Sequence, residues 1–135
     1  MTKNTVRLER TLSAPIERVY AAWTDPSLLT RWYCPNPAWE VKVEGDIAVG
    51  GDYRVHMGDH VVEGTYTELQ PPSVIAFTWR WLEFDNPASQ VRVELTEVDG
   101  GTHLLLVHSD LADAEDARNH EEGWVGCLTR LVEVV

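Results

Sequence analysis

Apolar and polar side chains alternate from residue 4 onward. Val6, Leu8 and Arg10 fall on one side of NTVRLERTL and Thr5, Arg7 and Glu9 on the other, which predicts a strand over 4–12 with one half-buried face. The period then lengthens. Ile16, Val19, Tyr20 and Trp23 recur at helical spacing, with Ser13 placed to cap the helix and Pro15 suited to its first turn. Asp25-Pro26 ends that helix and opens a second short one carrying Leu28, Leu29 and Trp32. Beyond Tyr33-Cys34-Pro35-Asn36-Pro37 the period returns to two. Turn residues at Gly50-Gly51, Gly58-Asp59, Pro71-Pro72, Asp85-Asn86-Pro87 and Asp99-Gly100-Gly101 divide this stretch into six strands, near 39–48, 51–57, 60–69, 73–82, 89–98 and 102–109. The chain closes with a helix over 113–135, whose Trp124, Leu128, Leu131, Val132 and Val135 form one apolar stripe.

A helix with one greasy stripe must bury it, and the sheet is the only large surface on offer. The expected fold is therefore α+β: seven antiparallel strands curved around the closing helix, with two short helices after the first strand. Alternation turns Tyr53, Val55 and Met57, then Ile75, Phe77, Trp79 and Trp81, then Val91, Val93, Leu95, Leu104 and Leu106 toward that helix. Arg54, Thr78, Arg80, Arg92 and Glu94 fall on the other face. Where a twisted sheet and a helix separate, an apolar space is expected between them.

Composition narrows the function. At 135 residues and 44% hydrophobic, the chain fits a single domain spanning 1–135. Eleven basic against 22 acidic residues give a net charge of −11, which speaks against nucleic-acid and anionic-membrane partners. No apolar run approaches the roughly 20 residues of a membrane span, and MTKNTVRLER lacks a secretory pattern, so a cytoplasmic location is expected. Cys34 and Cys127 lie far apart and read as free thiols. Six Trp are many for this length, and so much aromatic surface needs a core, a pocket or an interface.

Several segments together resemble the activator of heat-shock protein 90 ATPase homologue family. They are Ala14-Pro15-Ile16-Glu17-Arg18-Val19-Tyr20, Trp23-Thr24-Asp25-Pro26, Gly50-Gly51-Asp52-Tyr53-Arg54, Gly64-Thr65-Tyr66-Thr67-Glu68-Leu69, Pro71-Pro72 and Phe77-Thr78-Trp79, followed by Gly100-Gly101-Thr102, His108-Ser109 and Gly123-Trp124. The likeness runs in order from about residue 5 to the last residue. It implies the START-like, SRPBCC superfamily and its helix-grip fold, in which a curved seven-stranded sheet grips a long C-terminal helix around a hydrophobic cavity. Members of that superfamily carry lipids and steroids, cyclise polyketides, sequester natural products or stimulate a chaperone ATPase.

The candidate ligand-binding residues are Tyr53, Trp79, Trp81, His108, His120 and Trp124. Trp79 and Trp81 share a strand face with Phe77 and form an aromatic wall, while Tyr53 and Tyr66 add hydroxyls. Tyr66 is also compatible with pointing away from the core. His108 shares parity with Leu104 and Leu106, so it is either a hydrogen-bonded core histidine or a proton-transfer or ligand group. His120 or Glu121 is placed to serve as a polar handle at a cavity mouth. Gly123 and Gly126 disfavour a regular helix and suggest a bend or a close backbone approach. His56 and His60 flank the Met57-Gly58-Asp59 turn and with Asp59 superficially suggest a metal site, but no well-placed third ligand is evident, and no phosphate loop, dinucleotide fingerprint or nucleophile elbow is present. No metal and no cofactor are therefore expected. The leading expectation is a monomer or homodimer that binds a small hydrophobic, lipid-like or aromatic ligand. A cyclase or hydrolase using His108 or His120, and an accessory protein stimulating a chaperone ATPase, are the alternatives.

Overall fold

Seven strands build the molecule: β1 (Asn4–Leu12), β2 (Val41–Gly45), β3 (Asp52–Met57), β4 (His60–Gln70), β5 (Val74–Trp81), β6 (Ser89–Val98) and β7 (Gly101–Leu111). They form one antiparallel sheet in the order β1-β7-β6-β5-β4-β3-β2. The order follows from short connections. Strands β2 to β7 pair with their sequence neighbours, and β1 completes the sheet at the far edge, beside β7. Helices α1 (Ile16–Thr24) and α2 (Pro26–Leu29) carry the chain from one edge to the other, and α3 (Ala114–Val134) lies against the concave face. The computed structural model describes residues 4–36, 38–84 and 87–135; Pro37 and the Asp85-Asn86 part of the expected turn lie outside the described residues.

The inward residues expected from alternation are buried on β3, β5, β6 and β7, Trp81 alone being half-buried. One irregularity changes parity within β4. The β4–β5 register slips between Tyr66 and Glu68, so that Tyr66 faces inward before the bulge and Leu69, opposite Ile75, packs on the core after it. Tyr66 is therefore a core residue, packed on Tyr53 and Phe77 at ring-centroid distances of 5.2 and 5.7 Å. Ion pairs cover the opposite face. Glu63 bridges Arg54 and Arg80, and Arg92 bridges Glu68 and Glu94.

Two local expectations need correction. The N-cap of α1 is Pro15 in extended backbone, with no side-chain cap from Ser13; a capping side chain appears instead at α2, where Asp25 accepts from the Ser27 N–H. Val132 is 55% exposed, and the buried stripe of α3 is Trp124, Cys127, Leu128 and Leu131. At roughly 100° per residue, Val132 sits about 80° from Trp124, past the edge of the stripe, whereas Leu131 sits about 20° away. Helix α3 continues through Gly123 and Gly126, and of the two readings of these glycines the close approach holds at Gly126. A Cβ on Gly126 would come within 2.8 Å of the Pro35 side chain, so this glycine admits the loop after α2.

Gly64 serves the sheet in a similar way. Tyr53 on β3 crosses β4 at this position, and its hydroxyl donates to the Thr78 carbonyl of β5 at 2.6 Å. A Cβ at Gly64 would overlap that carbonyl and meet the Tyr53 ring at 2.7 Å. Backbone on one side and a packed ring on the other leave no direction for relief. Gly64→Ala is expected to lower unfolding stability by about 2–3 kcal/mol in a urea titration.

Candidate functional site

The segment after α2 forms the first wall of the site. Trp32 donates its indole N–H to the Ala22 carbonyl at 3.0 Å, locking α2 against α1. Arg130 of α3 donates to the Arg31 and Cys34 carbonyls at 3.0 and 2.6 Å, pinning the following loop to the terminal helix. Tyr33 is thereby held between Trp32, Trp79 and Trp124, with ring centroids 5.0, 6.1 and 5.8 Å away. Burial pushes its phenol pKa well above the ordinary value, so it stays neutral.

Between this loop, β5 and the first half of α3 lies a cleft of about 340 Å³. Tyr33, Met57, Trp79, Trp124 and Cys127 form its apolar depth. Pro35, Trp39, His60, Trp81, Glu83, Phe84, Asp116, Asn119 and His120 also line it. Gly123 completes the helical wall, and a Cβ there would meet nothing within 4 Å. The cleft owes width to the missing side chain. Trp39, 39% exposed, stacks on His60 at 5.1 Å and lies over the Met57-Gly58-Asp59 turn, where Gly58 adopts φ +61° and leaves room for the indole.

Two tryptophan–histidine pairs join sheet and helix. In the deeper one, Trp124 of α3 donates its indole N–H to His108 Nδ1 at 3.0 Å, and His108 Nε2 lies 2.7 Å from Ser89 Oγ. Since Nδ1 accepts, the proton sits on Nε2 and is donated to Ser89, whose hydroxyl donates onward to the Trp79 carbonyl at 3.1 Å. Every polar atom of His108 is satisfied. Burial, followed by the nearby His120 ring, lowers its pKa from 6.5 to about 3. In the outer pair Trp81 donates to His120 Nε2 at 3.1 Å, while His120 Nδ1 faces the Asp116 carbonyl at 2.8 Å and its carboxylate at 3.2 Å. The two imidazoles stand 4.9 Å apart.

Trp79, Trp81, His120 and Trp124 thus meet in one cleft, as the sequence suggested. Tyr53 and His108 do not line it. Tyr53 is spent on the β3–β5 bridge, and His108 is fully buried beneath the floor. Glu121 is exposed on α3 and also stays outside. The sequence reading missed Tyr33, Trp39, Phe84 and Gly123 as lining residues. The aromatic ones come from loops, where no period marks an inward direction; the cost of Gly123 inside an amphipathic helix was its one visible signal. Cys127 also lines the cleft, with burial raising its thiol pKa to about 12, which leaves it un-ionised and un-nucleophilic. Among the described residues no group of three or more His, Cys, Asp or Glu is arranged to hold a metal. His56 faces Glu44 at 3.6 Å, and His60 faces Glu83 at 2.6 Å. Among the described residues no helix is long and apolar enough to cross a membrane.

The model of the family described as "Activator of Hsp90 ATPase homolog 1-like protein" matches residues 13–135. The chain belongs to this family. A similar solved structure is protein CV1439 from Chromobacterium violaceum, 36% identical over 98% of this chain and 96% of that one, with a TM-score of 0.90. Another is the AHSA1 protein SPO3351 from Silicibacter pomeroyi, at 28% identity, 96% and 95% coverage, and a TM-score of 0.81. DynU16, described as a putative protein in the dynemicin biosynthetic locus, shares the fold at 23% identity and a TM-score of 0.84; 96% of this chain corresponds to 46% of DynU16. No curated protein matches the chain. Members share an AHSA1/SRPBCC-like fold that commonly binds hydrophobic ligands, and the seven-stranded curved sheet with its long terminal helix is the helix-grip arrangement.

The neutral His108 makes stability depend on pH in a definite direction. Above pH 6.5 the folded and unfolded states both carry it uncharged. Below 6.5 the unfolded chain takes up a proton that the folded state refuses until about pH 3, so stability falls as pH falls through that window. The loss reaches roughly 3 kcal/mol by pH 4, at 1.36 kcal/mol per unit. Urea unfolding of wild type and His108→Gln at pH 7 and pH 4 should show a smaller acid loss in the variant by about that amount.

Proposed function

We propose that the protein binds a small, flat, hydrophobic molecule in the cleft between β5, α3 and the loop after α2. One observation carries the reading: the deep end is walled by Tyr33, Trp79 and Trp124, while the polar groups gather toward the helix start and the end of β5. Such a lining favours a guest with an apolar body and few polar substituents. Its size is instructive. A cleft of about 340 Å³ is small among ligand sites and roughly twice a 150 Å³ cavity that accepts benzene, so a body of two or three fused rings is the natural fit.

Binding is favoured over acid–base catalysis by the state of the two histidines. His108 is buried beneath the floor with both nitrogens engaged, and its depressed pKa disfavours proton uptake. The His120 Nε2 lone pair already accepts from Trp81, leaving neither ring nitrogen free to abstract a proton. The cleft then acts by shape and dispersion. A carrier or sensor of such a guest is the simplest account.

Titration with two- and three-ring aromatics should quench the intrinsic tryptophan fluorescence saturably, because Trp39, Trp79, Trp81 and Trp124 all line the cleft. A flat response across a broad panel of ring systems would reject the reading. Gly123 separates binding from folding. Gly123→Ala should raise unfolding stability by up to about 1 kcal/mol through helix propensity while weakening the guest, and Gly123→Leu should abolish saturable quenching in a protein that still unfolds cooperatively.

A further inference from the structure

Granting that the cleft is a ligand site, we infer that its guest is an organic cation: a flat apolar body carrying a protonated amine or quaternary ammonium group. The lining contains six aromatic side chains, Tyr33, Trp39, Trp79, Trp81, Phe84 and Trp124. Aromatic faces attract positive charge, and the effect strengthens where water is excluded. Orientation adds to composition. Trp79 and Trp81 stand at 89° to each other with centroids 5.5 Å apart, and Trp124 is tilted by 47° from Trp79 at 5.2 Å. Two perpendicular rings share only one line along which both are met edge-on, so a group seated off that line meets the face of at least one ring.

The charges of the lining have one sign. Glu83 and Asp116 are its acidic residues, and among the described lining residues there is no Lys or Arg. Their partners differ from those of three carboxylates on the far face of the sheet. Glu63, Glu68 and Glu94 each face an arginine across an ion pair. Glu83 Oε1 instead faces His60 Nδ1 at 2.6 Å. Asp116 Oδ2 accepts from the Ala112 N–H at 3.1 Å, and its Oδ1 faces His120 Nδ1 at 3.2 Å. No arginine or lysine among the described residues pairs with either carboxylate. The net charge of −11 adds a long-range field of the same sign. An anionic guest would be repelled by the carboxylates, and a neutral guest would leave them with only the His60 and His120 rings as partners.

Three probes sharing one bicyclic body test this: 2-naphthylethylamine, 2-naphthylethanol and 2-naphthylacetate, titrated calorimetrically near neutral pH. The amine is expected to bind about tenfold more tightly than the alcohol, with the acetate weakest. Raising the salt concentration should narrow the gap. Glu83→Gln combined with Asp116→Asn should bring the amine to within about threefold of the alcohol while leaving the alcohol unchanged. Equal affinities for all three probes, or tightest binding of the acetate, would overturn the charge preference and leave aromatic binding standing. An amine advantage that survives in the double variant, or a variant that loses the alcohol as well, would overturn the assignment to these carboxylates. No binding of any probe would remove the binding reading and the cation preference together.

Discussion

The hydrogen-bonded chain from Trp124 through His108 and Ser89 to the Trp79 carbonyl is the constraint on which the site depends. It joins α3, β7, β6 and β5 through groups that are almost wholly buried, so each donor must find its acceptor inside the protein. Each such bond contributes only about 1 kcal/mol net, but an orphaned partner costs about 1–3 kcal/mol, which makes the chain a device for position more than for strength. It fixes the height and rotation of α3 over the sheet. That placement sets how far the helix stands from β5, and therefore whether a cleft remains.

Trp81 and His120 repeat the motif one level higher with the elements exchanged. In the buried pair the indole belongs to the helix and the imidazole to the sheet; in the outer pair the indole belongs to the sheet and the imidazole to the helix. Between them burial changes along one strand face. Phe77 and Trp79 are buried and Trp81 is half-buried, so β5 runs from core to cleft without changing residue type. The two glycines of α3 divide their roles similarly. Gly126 lets Pro35 approach and closes the structure, whereas Gly123 meets nothing and opens it.

Family membership fixes the fold and leaves the guest open, because one scaffold serves many purposes. The lining of the cleft is apolar in its depth, acidic at Glu83 and Asp116, and supplied largely by segments outside the regular sheet. The far face of the sheet, with its arginine–glutamate pairs, has a different character. Its depression around Arg54, Glu63 and Arg80 is polar and mixes charges of both signs, which suits a solvated surface.

Period-two and helical patterning, with glycine and proline punctuation, were sufficient for seven strands, the antiparallel meander of β2 to β7 and the terminal helix, because those features depend on which face of each element avoids water; the place of β1 beside β7 came only with the tertiary structure. Trp79, Trp81 and Trp124 were legible as cleft residues for the same reason: inward positions next to a helix–sheet seam are few. Tertiary structure alone decided that His108 is sealed beneath the floor and His120 is at the cleft, since both are histidines on inward-compatible positions and only distances between elements separate them. It also decided that Tyr33, Trp39 and Phe84 contribute walls. Loop residues have no repeating direction in sequence, so their orientation is fixed by what the folded chain brings beside them.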